Sequence, residues 1–546
     1  MPAPAKSRSG FLRRYPALGL VVAAAALAIL LPSALTVPQS GPSTLAEFAP
    51  VPGAGDGRSD ISDLGSAQSG GLGFGSGSGG GKGEVPPQQI GAPTQKTSRL
   101  KRCVGSPPRQ TEDLLSPPCV AFFEGDNFGA TAKGVTRDEV TVIAEVGVNQ
   151  ATDPNNYQKI IDCGTTIKND EHLNVIACKS YMKFFNDRYQ TYGRSVHLWV
   201  SFDAPVAEAD STRKPFGYTG AHAVGAASRK IVGITHAGSI RKQYASNVPY
   251  QFSYRADLED QARLNASYIC QKLNGRVAKH AGVRLQTMSR KFGVLHEIPA
   301  ERDILKAELK AQCGIVPQQV DAGAGASITT GMATFSGDNV TTIITVLTQP
   351  NQAVATNAAA QNAYFPEWFV AGANQGTLDT NAQGRLANPA EWANAFGITF
   401  DYRRDAVADQ MWFRAYRDGC ADCPAPGSGG GTDAPKVYDT INMFFYGLQA
   451  SGPRLTAENI DKGLHAIPAA PSTSPYRPAS YFAPGNYSFL KDAMMIWWDP
   501  SGTPPGSSAA GCYKLPLEGR RFRSVDWIDG DGDVKGTGPC QGDTFQ

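Results

Sequence analysis

Gly134-Val-Thr-Arg-Asp-Glu-Val-Thr-Val-Ile-Ala-Glu-Val146 is the stretch on which the fold turns. Its second half, Glu139–Val146, is rich in β-branched residues, is short, and lies between Gly134 and Gly147, so it reads as a buried strand. Further runs of the same kind follow at Val196–Phe202, Pro215–Tyr218, Lys230–Thr235, Lys291–Glu297, Val340–Leu347, Glu367–Ala371 and Ala493–Trp498. Amphipathic helices separate them. Tyr181, Phe184, Phe185 and Tyr189 share one face, as do Leu258, Ala262, Ala266, Ile269 and Leu273. A helix near Glu301–Cys313 stops at Gly314, and another near Asp439–Ala450 stops before Gly452, as helix ends prefer. Strands alternating with helices predict parallel sheets covered on both faces. Roughly 410 residues of such pattern exceed one core, so two α/β units fit better than one. No internal repeat is visible.

The chain in front of this region is an address and a spacer. Of its 546 residues, 51 are Lys or Arg and 49 Asp or Glu, for a net charge of +2, which excludes a nucleic-acid binder working by bulk electrostatics. Lys6, Arg8, Arg13 and Arg14 precede an apolar run, Ala17–Leu31, that extends to Val37 and is long enough to cross a bilayer as a helix. Residues 1–37 therefore read as an uncleaved signal anchor or a cleaved signal peptide, and both export the chain. Residues 38–101, rich in Gly, Ser and Pro, read as a disordered tether with a reach of roughly 40–45 Å. Residues 102–546 are the folded part. The ten cysteines suit an oxidising compartment, and pairing in sequence order gives Cys103–Cys119, Cys163–Cys178, Cys270–Cys313, Cys420–Cys423 and Cys512–Cys540 as candidate disulfides. Cys420-Ala-Asp-Cys423 also has the spacing of a redox pair or half a metal site, but no second CxxC accompanies it.

Motifs for catalysis fail in turn. Gly81-Lys82 lacks the leading Gly and the following Ser or Thr of a phosphate loop, and Gly323-Ala-Gly325 breaks as a dinucleotide fingerprint at Ile328. The seven histidines show no HExxH or HxH spacing, and no serine sits in a nucleophile elbow. Asp529-Gly-Asp531-Gly-Asp533 opens like a calcium loop, but Val534 stands where the turn needs Gly. The sequence thus points to no enzyme, no cofactor and no metal.

Read in order, Gly134–Val142 resembles the GVTxDxIxI opening of type I periplasmic binding proteins, the branched-chain amino-acid and amide-binding relatives among extracytoplasmic solute-binding proteins. Cys103–Lys133 looks like the leader of actinobacterial members. Phe184–Val196 (FFNDRYQTYGRSV) resembles the first helix and the Gly-Arg entry to the second strand. Tyr268–Lys279, Arg290–Leu295 and Tyr364–Gly372 resemble the second lobe, and Tyr438–Leu464 the paired helices that return near the hinge. The chain departs from the pattern in its short segment between Phe202 and Pro215 and in the loop Gly147-Val-Asn-Gln-Ala-Thr152.

The resemblance implies two doubly wound parallel-sheet lobes joined by a multi-strand hinge and closing on a small ligand, with lobe one at about 135–252 and 373–470 and lobe two at about 253–372 and 471–546. It implies a ligand site at the carboxyl ends of the strands. In lobe one the candidates are Tyr218 and the loop residues Ala237, Gly238 and Ser239, whose amides and hydroxyl suit a carboxylate or amide oxygen. In lobe two they are His296, Glu297, Gln349 and Asn374, with Glu297 placed to meet an ammonium. Each has a plainer alternative: Ser239 as a helix cap, Glu297 as a solvated acid, Tyr218 and His296 as core. The partners implied are a small polar ligand and the permease of an ABC importer, or else a membrane sensor partner.

Overall fold

A computed structural model describes residues 103–541, less short stretches that include 148–152, 165–171, 322–324, 373–378, 402–406, 424–433, 471–477 and 528–536. The expected signal segment, the tether and the acidic turn at Asp529–Asp533 lie outside the described residues. Among the described residues no helix is long and apolar enough to cross a membrane.

A short antiparallel pair, β1 (Cys103–Val104) and β2 (Arg109–Gln110), precedes the first lobe. The first sheet contains β3 (Glu139–Val146), β4 (Ile160–Asp162), β5 (Ser195–Phe202), β6 (Gly217–Thr219), β7 (Val232–Thr235) and β8 (Gln251–Ser253). Their spatial order is β4-β5-β3-β6-β7-β8. All neighbours are parallel except β4, which pairs antiparallel to β5 at the edge. β3 keeps unbroken register with β5, from Glu139 opposite Ser195 to Val146 opposite Phe202. The aromatic face expected on the helix Leu173–Arg188 is buried, and Phe185 stacks on Phe445 of the helix Ala434–Ser451 at 4.9 Å.

The second sheet contains β9 (Phe292–His296), β10 (Gln318–Asp321), β11 (Thr342–Val346), β12 (Glu367–Gly372) and β13 (Ala395–Thr399), parallel and ordered β10-β9-β11-β12-β13. Antiparallel β14 (Ala493–Asp499), β15 (Cys512–Lys514) and β16 (Arg521–Phe522) extend it. Arg290 and Glu367 pair inside this lobe with two contacts, 2.7 and 2.8 Å, both side chains fully buried. Burial makes each charge depend on the other.

The expected division between lobes needs two corrections. Ala395–Thr399 belongs to the second sheet, where it supplies the parallel partner of β12, and not to lobe one with the rest of 373–470. Conversely Phe482 and Tyr487, expected in lobe two, pack against Phe252 in the first core. Residues of the helices Met411–Gly419, Ala434–Ser451 and Ala457–Ala466 lie in the first core.

The chain therefore crosses between lobes three times: after β8, after β13 and before β14. Ion pairs fasten the crossings to one another. Arg255 meets Asp401 at 3.4 Å, and Lys491 reaches the buried Asp260 at 2.9 Å. Arg521 joins Asp492 at 2.7 Å and donates to the carbonyls of Phe400 and Asp401. Asp260 also receives Arg241 and Arg263, and this cationic company holds its carboxyl well below the usual range against the opposing effect of burial.

Four of the five expected disulfides are formed as paired: Cys163–Cys178, Cys270–Cys313, Cys420–Cys423 and Cys512–Cys540. Cys119 is disulfide-bonded as well, while the side chain of Cys103 lies outside the described set.

Candidate functional site

Counting each lobe's parallel strands from its own first strand, β3-β5-β6-β7-β8 and β9-β10-β11-β12-β13 both have the spatial order 2-1-3-4-5. In such a sheet the chain winds one way from strand one and the other way from strand three. The loops leaving those two strands part and open a crevice at their carboxyl ends. In lobe one the crevice lies between the ends of β3 and β6, in lobe two between the ends of β9 and β11.

At the lobe-one point stands Glu145, the second-last residue of β3 and nearly inaccessible to solvent. Its Oε2 accepts the backbone N–H of His222 at 2.7 Å, and its Oε1 meets the His222 ring at Nδ1. His222 follows β6 in a short 3-10 turn. Between them Gly220 turns with φ +130°, where a Cβ would lie 2.5 Å from the Glu145 Cβ, so only glycine lets the loop wrap the carboxylate. Asp203 follows β5 directly, with φ +52°. Ligand atoms of Glu145, Asp203 and His222 lie within 4.8 Å of one another. Burial raises the Glu145 carboxyl above its ordinary value; His222 pulls it back and Asp203 adds to the rise.

At the lobe-two point Glu297 directly follows β9, and its Oε1 accepts from Asn351 Nδ2 at 2.8 Å, in the first turn of the helix that follows β11. Glu301 lies beside it. Burial first, then the charge of Glu297, pushes the Glu301 carboxyl up to about 7. His296, one residue earlier, is fully buried with Nε2 3.3 Å from Arg302 Nη1, and burial lowers its pKa. A neutral imidazole is the result at pH 7.

The other sequence candidates fare differently. Tyr218, expected over a ligand, is core: its ring packs with Ile143, Val206 and Ile231. Its hydroxyl donates to the carbonyl of Ala204 at 3.3 Å. An apolar ring on the middle residue of a three-residue central strand has neighbours on every side. Ser239 donates to the Gln243 side chain in the next helix, and its carbonyl accepts from Leu258 at 3.1 Å; the N-cap of that helix is Ile240, so Ser239 does not cap it. Gly238 is exposed, near Gln261. Gln349 is the first residue of the helix Gln349–Gln361. Ala237 and Asn374 lie outside the described residues. His296, Glu297 and Gln349 thus come from neighbouring strand ends of one lobe. Glu145, Asp203 and His222 escaped the sequence reading, although an acid near the end of an otherwise apolar buried strand was a usable signal.

Two sheets of 2-1-3-4-5 order, with three crossings between them, are decisive for architecture. The fold is the clamshell of type I periplasmic binding proteins. No protein-family model matches the sequence, and the comparison with curated proteins finds no match. Among solved structures the chain is similar to a solute-binding protein of an ABC transporter from R. palustris in complex with 4-hydroxybenzoate. The identity is 12% and the TM-score 0.47, over 71% of this chain and 99% of that one. It is also similar to a fatty acid ABC transporter substrate-binding protein from Thermomonospora curvata, at 12% identity and TM-score 0.47 over 73% and 97% of the two chains. A third is an ABC transporter substrate-binding protein from Desulfitobacterium hafniense in complex with Leu, at 12% and 0.42 over 71% and 100%.

Proposed function

We propose that the chain is an exported solute-binding protein, not an enzyme, which takes a small polar ligand such as an amino acid or amide between its lobes and presents it to an ABC importer. The observation that carries this reading is the duplicated switch point. Each lobe sets a carboxylate, held by a neighbour from the segment after the adjoining strand, where open α/β sheets take ligands. Four disulfides support export, since the cytosol keeps thiols reduced. The apolar segment Ala17–Val37 supports tethering to the membrane, and permease and ATPase are then separate chains. That same segment favours a second reading, a membrane-held ligand sensor with the identical fold, because an uncleaved helix suits a signalling assembly.

Thermal unfolding of the full-length chain in mild detergent tests the binding reading, after denaturation and refolding to strip any co-purified ligand. The panel is amino acids, short amides, urea and aromatic acids. A ligand at 100 times its dissociation constant adds about 2.7 kcal/mol, a shift of several degrees. One class that stabilises the protein supports binding. A refolded chain indifferent to every class would overturn it.

A further inference from the structure

Glu145, Asp203 and His222 come from three adjacent strand ends, β3, β5 and β6, and from distant points in the sequence. Strand ends fix side chains more firmly than free loops do. The set is one imidazole nitrogen and two carboxylates, and their donor atoms converge within 4.8 Å. Bonds of about 2.0–2.2 Å to one ion ask for ligand atoms about 3–4 Å apart, so small side-chain rotations close the set. A carboxylate buried as deeply as Glu145 stays charged only with a cation beside it. Among the described residues its ion pair is with His222 alone, and the Asp203 carboxylate stands beside them. His222 is half exposed, which leaves the open side of the set toward solvent.

We propose that Glu145, Asp203 and His222 form a site for one divalent transition-metal ion, Zn²⁺ or Mn²⁺, with the remaining coordination positions open. The imidazole favours Zn²⁺ over Ca²⁺ and Mg²⁺, which take oxygen ligands, while the two carboxylates also suit Mn²⁺. The site occupies the lobe-one crevice on which the solute reading also rests, but metal retention is measured with no solute present, so the two fail separately. His197 shows why the convergence matters. It too has two carboxylates, Glu139 at 3.2 Å and Asp162 at 2.7 Å, but one on each ring nitrogen, an arrangement that places the ring between them and encloses no ion.

The test uses the full-length chain stripped with chelator, dialysed against Zn²⁺ or Mn²⁺ and analysed for bound metal, with His222→Ala, Asp203→Asn and His197→Ala as variants. His222 is exposed enough for its removal to leave the fold intact, which circular dichroism checks. About one equivalent should be retained by the wild type and by His197→Ala, and affinity should fall about tenfold or more in His222→Ala and Asp203→Asn. Co²⁺ loaded into the wild type should show visible absorption that His222→Ala loses. No stoichiometric metal in the wild type, or equal affinity in a folded His222→Ala, overturns the site.

Discussion

A carboxyl group walled off from water and given no cation lowers its free energy by keeping its proton. Glu391 is such a group: fully buried beside Trp392, it accepts the Trp368 indole N–H at 3.1 Å, while its other oxygen has no hydrogen-bond partner among the described residues. Burial pushes its pKa from 4.5 to about 8, against the smaller downward pull of the indole. The sign follows from linkage. Between those values the folded state holds a proton that the unfolded chain has released, so stability falls as pH rises from 4.5 to about 8 and levels off beyond. Glu391→Gln keeps an acceptor for Trp368 and removes the titration. Its melting temperature should gain on the wild type steadily across that window. Parallel curves from about pH 5 to pH 8 would contradict the assignment.

At the scale of elements, the Cys270–Cys313 bridge joins the turn after the helix Leu258–Tyr268 to the end of the helix Pro299–Cys313 across 43 residues. Loop closure of that length is worth about 4 kcal/mol in the chain-entropy treatment. Replacing both cysteines with alanine should therefore lower the denaturant midpoint markedly, and an unchanged midpoint would mean that helix packing alone holds the pair. What could be read from sequence divides in part by element length. β3 and β5, eight residues each, announce themselves by composition, and the helix ends at Gly314 and Gly452 by glycine. β4 and β8, three residues each, went unassigned, although β6, equally short, was read within Pro215–Tyr218. β13 went unassigned because Ala395-Phe-Gly-Ile-Thr399 becomes a strand through its neighbours β12 and β14. The candidate site divides similarly. Glu297 follows from the rule that function sits at strand ends, because its strand was legible. Glu145 and His222 meet across 77 residues, and no local spacing encodes that meeting. Tyr218 was ambiguous between core and crevice because a strand end borders both.

At the scale of the whole molecule, the three crossings make the lobes one mechanical unit, and the ion pairs Arg255–Asp401, Lys491–Asp260 and Arg521–Asp492 tie crossing to crossing. Motion concentrated there lets two rigid sheets approach and separate as bodies, which is how a two-lobed binder encloses a ligand. The central claim is that one small ligand is held by both lobes at once. Its most direct measurement, made in chelator so that the Glu145, Asp203 and His222 set holds no metal, is the ligand-induced rise in melting temperature of the wild type, compared with Asp203→Asn at the lobe-one crevice and Glu297→Gln at the lobe-two crevice. The wild type should be stabilised by one ligand class, and each variant should keep its unliganded melting temperature within a degree or so while losing most of the rise. A rise that survives both substitutions, or a wild type that no ligand stabilises, would contradict it.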